Sequence, residues 1–486
     1  MTRRAFVGSA LAAAPAIRAA PRRRNIVFVL VDDHRFDCAG AFGHPWLKTP
    51  HLDRLVRGGV HFRNAFVTTS LCSPSRASML TGQYMHAHKV VDNFTPLDPS
   101  LATFPVLLQQ AGYRTGFIGK WHMGGASDEA RPGFDHWVSF FGQGRYFDPE
   151  INFNGSRRTV NGYITDILAE EATRFLRQNA SRPFLLYLSH KAVHYEFQPA
   201  PRHRDLYRTE PVPRPKSMNY QEEDYAQRPE WVRRRRYSRQ GVDGLYDHAT
   251  TFEEAYRGYC RTLMAVDESL GALVDELDRL KLLDSTLIAY MGDNGLMWGE
   301  HGLTDKRAMY EPSIRVPMVL HCPELCSSAR VPEQMALNVD IAPTFLDAAG
   351  LPVPGSMHGR SLVPLVRGQA VPWRSDFLYE YEWEFDYPYT PTLTGLRTED
   401  HSFCQTYGLW DKDELYDIRN DPDQMHNLLG PYRIVRQRGR LTEQLPEGAL
   451  RDRVRAIQER LSAILSATGG DPRRSGKTPE GWKYAL

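Results

Sequence analysis

Cys72 opens the segment Cys72-Ser-Pro-Ser-Arg76, which runs on through Ala77-Ser-Met-Leu-Thr81 to Gly82. Pro74 suits the first turn of a helix and Gly82 suits its end. Cys72 then sits at a helix N-terminus, where free N–H groups and the dipole favour negative charge. Arg76 falls one turn later and can point back toward the sulfur. A lone cysteine is more often a small buried hydrophobe. At a helix start beside an arginine it becomes a candidate nucleophile. Four other polar clusters carry residue types that do chemistry: Asp32-Asp33, Lys120-Trp-His122, His190 with His194, and Gly292-Asp-Asn-Gly295.

Each of these four clusters follows a short apolar run: 25–31, 115–119, 183–189 and 285–291. Runs without alternation suggest strands buried on both faces, as in a parallel sheet. Helical apolar spacing lies between them, over 101–111, 163–178 and 259–282. Strands alternating with helices predict a helix-covered α/β sheet. Such sheets bind ligands beyond the carboxyl ends of their strands, so the clusters are expected to form one composite site.

The chain has 486 residues, with 60 Lys+Arg against 58 Asp+Glu. A formal charge of +2 argues against a general nucleic-acid binder. Six cysteines are too few for a disulfide scaffold. No apolar run reaches the roughly 18 residues a membrane span needs. Residues 1–24 carry Arg3-Arg4, a mild apolar run and small residues, the layout of a signal peptide of twin-arginine type. The expectation is an exported bacterial protein, periplasmic or extracellular. Residues 25–370 read as the catalytic domain. Residues 199–248, with Arg233 to Arg236, read as a surface excursion, either a solvated charged face or a lip for an anionic substrate. Residues 371–470 read as a smaller α+β subdomain, with strands over 377–385 and 394–407 and a helix over 449–467. Residues 471–486 read as a loosely held tail.

Cys72-Ser-Pro-Ser-Arg76 with Thr81-Gly82 resembles the signature of the type I formylglycine-dependent sulfatases. Gly119-Lys-Trp-His122, Gly292-Asp-Asn-Gly295 and Asp340-Ile-Ala-Pro-Thr-Phe-Leu346 extend the resemblance from Asn25 to about Leu429. It implies an alkaline-phosphatase-like α/β sandwich with a large, mostly parallel central sheet, plus a small C-terminal α+β subdomain with an antiparallel sheet. It also implies that a formylglycine-generating maturation enzyme oxidises Cys72. Asp32, Asp33, Asp293 and Asn294 resemble the ligands of one calcium ion, a hard cation that takes such oxygen donors. Lys120 and Lys306 resemble the lysines that hold sulfate oxygens, and Arg76 the residue that orients the modified side chain. His122 resembles the histidine bonded to the formylglycine hydroxyl. His194 resembles the histidine facing the leaving-group oxygen.

The implied reaction begins with attack on sulfur by one hydroxyl of the hydrated aldehyde. His194 protonates the departing alcohol. Deprotonation of the second hydroxyl, with His122 as base, then expels sulfate. Two positions depart from the family pattern: Val193 replaces a common proline, and His34 replaces a common glutamine. The segment 71–82, with His86, Val90, Val91 and Asn93, is similar to the N-acetylglucosamine-6-sulfatase branch. So is Asp305-Lys-Arg-Ala-Met-Tyr-Glu311 with Arg315-Val-Pro317. A sulfated saccharide substrate follows. His301, Arg307 and residues 379–389 either contact sugar or pack between the two subdomains. The rival readings are a phosphonate or phosphodiester hydrolase of the same superfamily, and a non-catalytic secreted glycan-binding protein.

Overall fold

The computed structural model describes residues 23–475, apart from 126, 408–410, 433, 438–439, 444 and 446–447. The signal segment therefore lies outside the described residues, except for Arg23 and Arg24.

The apolar runs do form strands, and their ends define the site. A nine-stranded sheet is built from β1 (Asn25–Val31), β2 (Val60–His61), β3 (Arg114–Gly119), β4 (His136–Ser139), β5 (Glu150–Phe153), β6 (Ser156–Thr159), β7 (Phe184–Ser189), β8 (Thr286–Gly292) and β9 (Met318–His321). Their order is β2-β9-β8-β1-β7-β3-β4-β5-β6. The five central strands β8, β1, β7, β3 and β4 are parallel, and the strands beyond them are antiparallel. Every residue of β1, β7 and β8 is buried. Ile26, Phe28 and Leu30 face one core layer, and Val27, Val29 and Val31 face the other. The period of two thus divides one strand between two helical layers.

One layer holds α2 (Cys72–Thr81), α3 (Phe104–Gln110) and α7 (Ile341–Ala348). The other holds α1 (Pro50–Gly58), α4 (Ile164–Asn179) and α6 (Phe252–Arg279). The helix expected over 101–111 begins later because Pro105 lacks an N–H and takes its first turn. The helix expected over 259–282 begins at Phe252, where the Thr251 side chain accepts from Glu254 N at 3.2 Å. That Thr-x-x-Glu cap was readable in the sequence.

The C-terminal sheet is antiparallel, in the order β10 (Asp376–Tyr381), β11 (Thr392–Thr398), β12 (His401–Tyr407), β13 (Glu414–Asp417). Leu378, Leu396, Phe403 and Leu415 pack on Ile457, Leu461 and Leu465 of α8 (Ala449–Ala467). The strand expected over 377–385 ends at Tyr381, because Glu384 leaves the sheet to meet Arg307 Nε at 2.6 Å. The run expected over 394–407 is a hairpin that turns at Glu399-Asp400. This is the expected architecture: a helix-covered, centrally parallel sheet with a small antiparallel partner.

One glycine couples the sheet to the chemistry. Gly119 ends β3 with φ +121°, and a Cβ there would lie 1.8 Å from the Ser189 carbonyl oxygen. The next residue, Lys120, donates its N–H to that same oxygen at 2.8 Å. Gly119→Ala is expected to cost about 2–4 kcal/mol, from positive φ and backbone overlap together. Urea unfolding measures it. A loss below about 0.5 kcal/mol would contradict this account.

Candidate active site

The carboxyl ends of β1, β3, β7 and β8 share one edge, so Asp32-Asp33, Lys120, His190 and Asp293-Asn294 emerge side by side. Helix α2 lies against that edge with all ten residues buried. Gly82 caps it at φ +66°, as the sequence requires. At its other end Asn93 Oδ1 accepts from Ser73 N at 3.1 Å, filling one of the helix's free donors.

Around Cys72, Asp32 Oδ1 lies 3.5 Å from Sγ, and Lys306 Nζ lies 3.3 Å from it. Lys120 Nζ pairs with Asp32, and Lys306 Nζ with Asp33. Asp33 also accepts from Asn294 Nδ2 at 2.6 Å, and its N–H donates to Asp293 Oδ1 at 2.9 Å. His122, at φ +66°, has Nδ1 3.3 Å from Ser73 Oγ, on the residue next to Cys72. His194 Nε2 lies 4.0 Å from Asp33 Oδ2. Its Nδ1 faces the Tyr195 carbonyl, so Nδ1 carries the proton and Nε2 is turned to the carboxylates. His190 is not part of this group: it is buried behind the strand, with Nε2 3.2 Å from Ser269 Oγ.

Arg76 does not point back at the sulfur. Its Nε donates to Asp293 Oδ2 at 2.9 Å, Nη2 lies 2.8 Å from the same oxygen as an ion-pair contact, and Nη1 donates to Lys120 O and Ser189 Oγ at 2.8 and 2.7 Å. Buried carboxylate and carbonyl groups outbid a neutral thiol for a planar fork of donors. The sequence also places Cys72 where negative charge is favoured, yet burial pushes its thiol pKa well up, and Asp32 adds to that. The lysines and the helix terminus do not overcome this. The unmodified thiol is therefore protonated and a poor nucleophile.

Burial pushes Asp33 up to about 7, with Lys306 pulling it down and Asp32 and Asp293 raising it further. For Asp32 the upward push of burial loses to Lys120 and Arg76, which hold it well below the usual range. Three buried carboxylates meet here, and Asn294 Oδ1 has no hydrogen-bond partner among the described residues. Acceptor oxygens in excess, one of them unpartnered, fit a hard divalent cation. Burial and Lys120 hold His122 neutral; burial, Lys120 and Lys306 do the same for His194.

The remaining candidates separate. Arg235, on α5 (Glu230–Arg236), is buried and donates to Thr304 O at 3.0 Å, to Lys306 O, and to Thr390 Oγ1 at 3.1 Å, bracing the Lys306 loop from behind. Arg233 and Arg234 pair with Glu222 and Glu230 on the outside. The basic run is thus a solvated face with one buried brace. His301 stacks on Tyr310 at 3.9 Å, and Arg307 pairs with Glu384 and covers the Tyr387 ring. Both side chains are buried against these partners. His34 is buried, with Nδ1 on Arg35 O at 3.0 Å. All six cysteines are buried, and none is in a disulfide. Sequence reading missed Asn93 as the cap on Ser73, and it missed Ser189 and Arg235. Only the three-dimensional contacts reveal these roles.

Residues 24–351 match the family model "Sulfatase", and residues 299–450 match "N-sulphoglucosamine sulphohydrolase, C-terminal". The chain is 31% identical to an N-acetylglucosamine-6-O-sulfatase of Bacteroides thetaiotaomicron, over 88% of this chain and 86% of that one. It is 30% identical to the human N-acetylglucosamine-6-sulfatase, over 85% and 82%. The solved structure of BT4656 in complex with its substrate D-glucosamine-2-N,6-O-disulfate superposes with a TM-score of 0.82 at 29% identity, covering 94% of this chain and 100% of that one. Among the described residues no helix is long and apolar enough to cross a membrane.

Proposed function

The chain belongs to the sulfatase family, and from that premise we propose that it removes the 6-sulfate from a glucosamine-type end group of a sulfated glycan. It is a sulfuric ester hydrolase. The relatives named for N-acetylglucosamine 6-sulfate support the choice of sugar. The observation that carries the reading is the pair of ammonium groups at residue 72: Lys306 lies 3.3 Å from its sulfur, and Lys120 sits on the carboxylate beside it. A sulfate monoester has an anionic, tetrahedral head that repels nucleophiles. Fixed cations facing the attacking atom remove that repulsion and keep it removed as the bond breaks.

In this reading a maturation enzyme converts Cys72 to formylglycine, whose hydrate offers one hydroxyl for attack and a second for release. Asp32, Asp33, Asp293 and Asn294 hold calcium, which when bound polarises the attacking hydroxyl. Lys120 and Lys306 take the sulfate oxygens. Arg76 fixes Asp293 and the Lys120 main chain rather than the modified side chain directly. His194 Nε2 gives a proton to the departing sugar oxygen. Its ring is neutral in the free site, so it takes that proton up as the negative charge of the ester arrives. His122, on the other side, holds the proton of the second hydroxyl. The protein acts after export.

Matured protein is expected to release inorganic sulfate from N-acetylglucosamine 6-sulfate, read by ion chromatography. Chelation is expected to cut that rate roughly 100-fold or more, with calcium restoring it. No sulfate from a panel of defined sulfated saccharides would overturn the reading. A rate indifferent to chelation would remove calcium from it.

A further inference from the structure

The excursion over 199–248 grips the one loop that carries Lys306. The Lys306 ammonium lies 3.3 Å from Cys72 Sγ and pairs with Asp33. Its main chain has an unfavourable shape. Asp305 at φ +72° and Arg307 at φ +74° flank it, both in the left-handed region without being glycine. Such a segment keeps its shape only where its surroundings over-determine it.

The excursion supplies much of that surrounding. Val242 N donates to Gly302 O at 3.0 Å, and Thr304 N donates to Gln240 O at 2.8 Å. Gly241 thus bridges Leu303 in antiparallel fashion, and residues 240–242 line the edge of 302–304. Next to this edge stands Arg235, only 1% exposed. A single nitrogen, Nη2, donates to the carbonyls on either side of Asp305: Thr304 O at 3.0 Å and Lys306 O. Nη1 donates to Thr390 Oγ1 at 3.1 Å, which ties the same guanidinium to the segment before β11. Asp305 Oδ2 stands off at 3.9 Å from Nη2. Burial lowers the Arg235 pKa, and Asp305 opposes that. A fully buried guanidinium whose hydrogen bonds go to carbonyls and a hydroxyl is a costly brace, so the position of this loop is tightly specified.

We infer that Arg235 is a positioning residue: it hydrogen-bonds neither residue 72 nor Asp33, and it sets the Lys306 ammonium where an oxyanion meets it. The inference rests on the reading proposed above, in which Lys306 takes sulfate oxygens. A cation already fixed in place binds an anion better than a mobile one, because no ordering remains to be done when the anion arrives. Without Arg235 the loop is free to relax from its left-handed residues and draw the ammonium away from residue 72.

The test is the affinity of the full chain for inorganic sulfate, measured by calorimetry with calcium supplied, in a double-mutant cycle with Lys306. Arg235→Met is expected to weaken sulfate binding about tenfold in the parent, and to change it by no more than about twofold where Lys306→Met is already present. Its calcium affinity is expected to stay within about twofold of the parent, because the proposed calcium ligands stand on other strand ends. Arg235→Lys offers one ammonium to the two carbonyls that Nη2 serves, and is expected to stay within about threefold of the parent. Thermal melts show whether each variant is folded. If Arg235→Met does not fold, Arg235→Gln, shorter and uncharged, enters the same cycle with an expected loss of about threefold or more. Unchanged sulfate affinity in the folded variant overturns the inference. So does an equal loss in both Lys306 backgrounds, and so does a calcium loss that matches the sulfate loss, since either would mean a site loosened as a whole. Lys306→Met alone separates the two levels. If it leaves sulfate affinity unchanged, the reading of Lys306 as a sulfate holder falls, and this inference with it. If it weakens sulfate binding and Arg235→Met does not, only this inference falls.

Discussion

Cys72→Ala is expected to abolish sulfate release, by roughly 10⁴-fold or more, while leaving the fold intact. The size of the effect follows from the site's division of labour. The cations around residue 72 can bind and neutralise a sulfate, but nothing else within reach of Lys306 and Asp32 supplies the attacking atom. In the proposed mechanism the thiol itself is not the working group, and burial and Asp32 keep it protonated. An unmodified thiol also lacks the second hydroxyl through which, in the proposed mechanism, sulfate is released. Alanine removes one sulfur atom whose bond to Asp32 is long, so the expected stability change is within about 1 kcal/mol. Initial rates and urea unfolding on the same preparation check both halves. Turnover retained at more than about a hundredth of the parent rate would end the mechanism. Peptide mass spectrometry of residue 72 in the parent reads the modification directly.

Arg76→Ala is expected to lower stability by about 3–5 kcal/mol, well beyond the effect at Cys72, and to remove activity with it. The guanidinium and both of its carboxylate partners, Asp293 and Asp32, are fully buried. Removing the cation leaves Asp293 without its guanidinium partner and Asp32 with Lys120 alone in a low-dielectric site beside Asp33, and it strips a donor from Lys120 O. Arg76→Lys should recover little. One ammonium cannot reach Asp293 through two nitrogens and Ser189 through a third. Urea unfolding of the two variants decides the matter. A loss under about 1 kcal/mol for Arg76→Ala would mean that the acidic cluster is compensated from elsewhere.

Much of this was legible in the sequence because it is local. The run 25–31 has the composition of a doubly buried strand, and it is one, residue for residue. Gly82 stops α2 for the reason its lack of a Cβ suggests, and the helix predicted over 449–467 occupies Ala449–Ala467. Boundaries failed where a distant partner intervened. Glu384 is pulled from a strand by Arg307, and no local pattern announces that pairing.

The sequence by itself determined which chemical groups this protein owns and at which strand ends they stand, because strand ends and helix caps follow from side-chain shape and backbone donors within a few residues. Only the tertiary structure decided how those groups divide the work. Parallel pairing brings Asp32, Lys120 and Asp293 to one edge across separations of up to 261 residues, the span from Asp33 to Asn294. Burial then sets the charges. It turns Arg76 toward carboxylates instead of sulfur, keeps Cys72 protonated, and sends His190 behind the sheet and His194 to the front. Those outcomes depend on which groups lose water together, and that is a property of the packed molecule rather than of any segment of its chain.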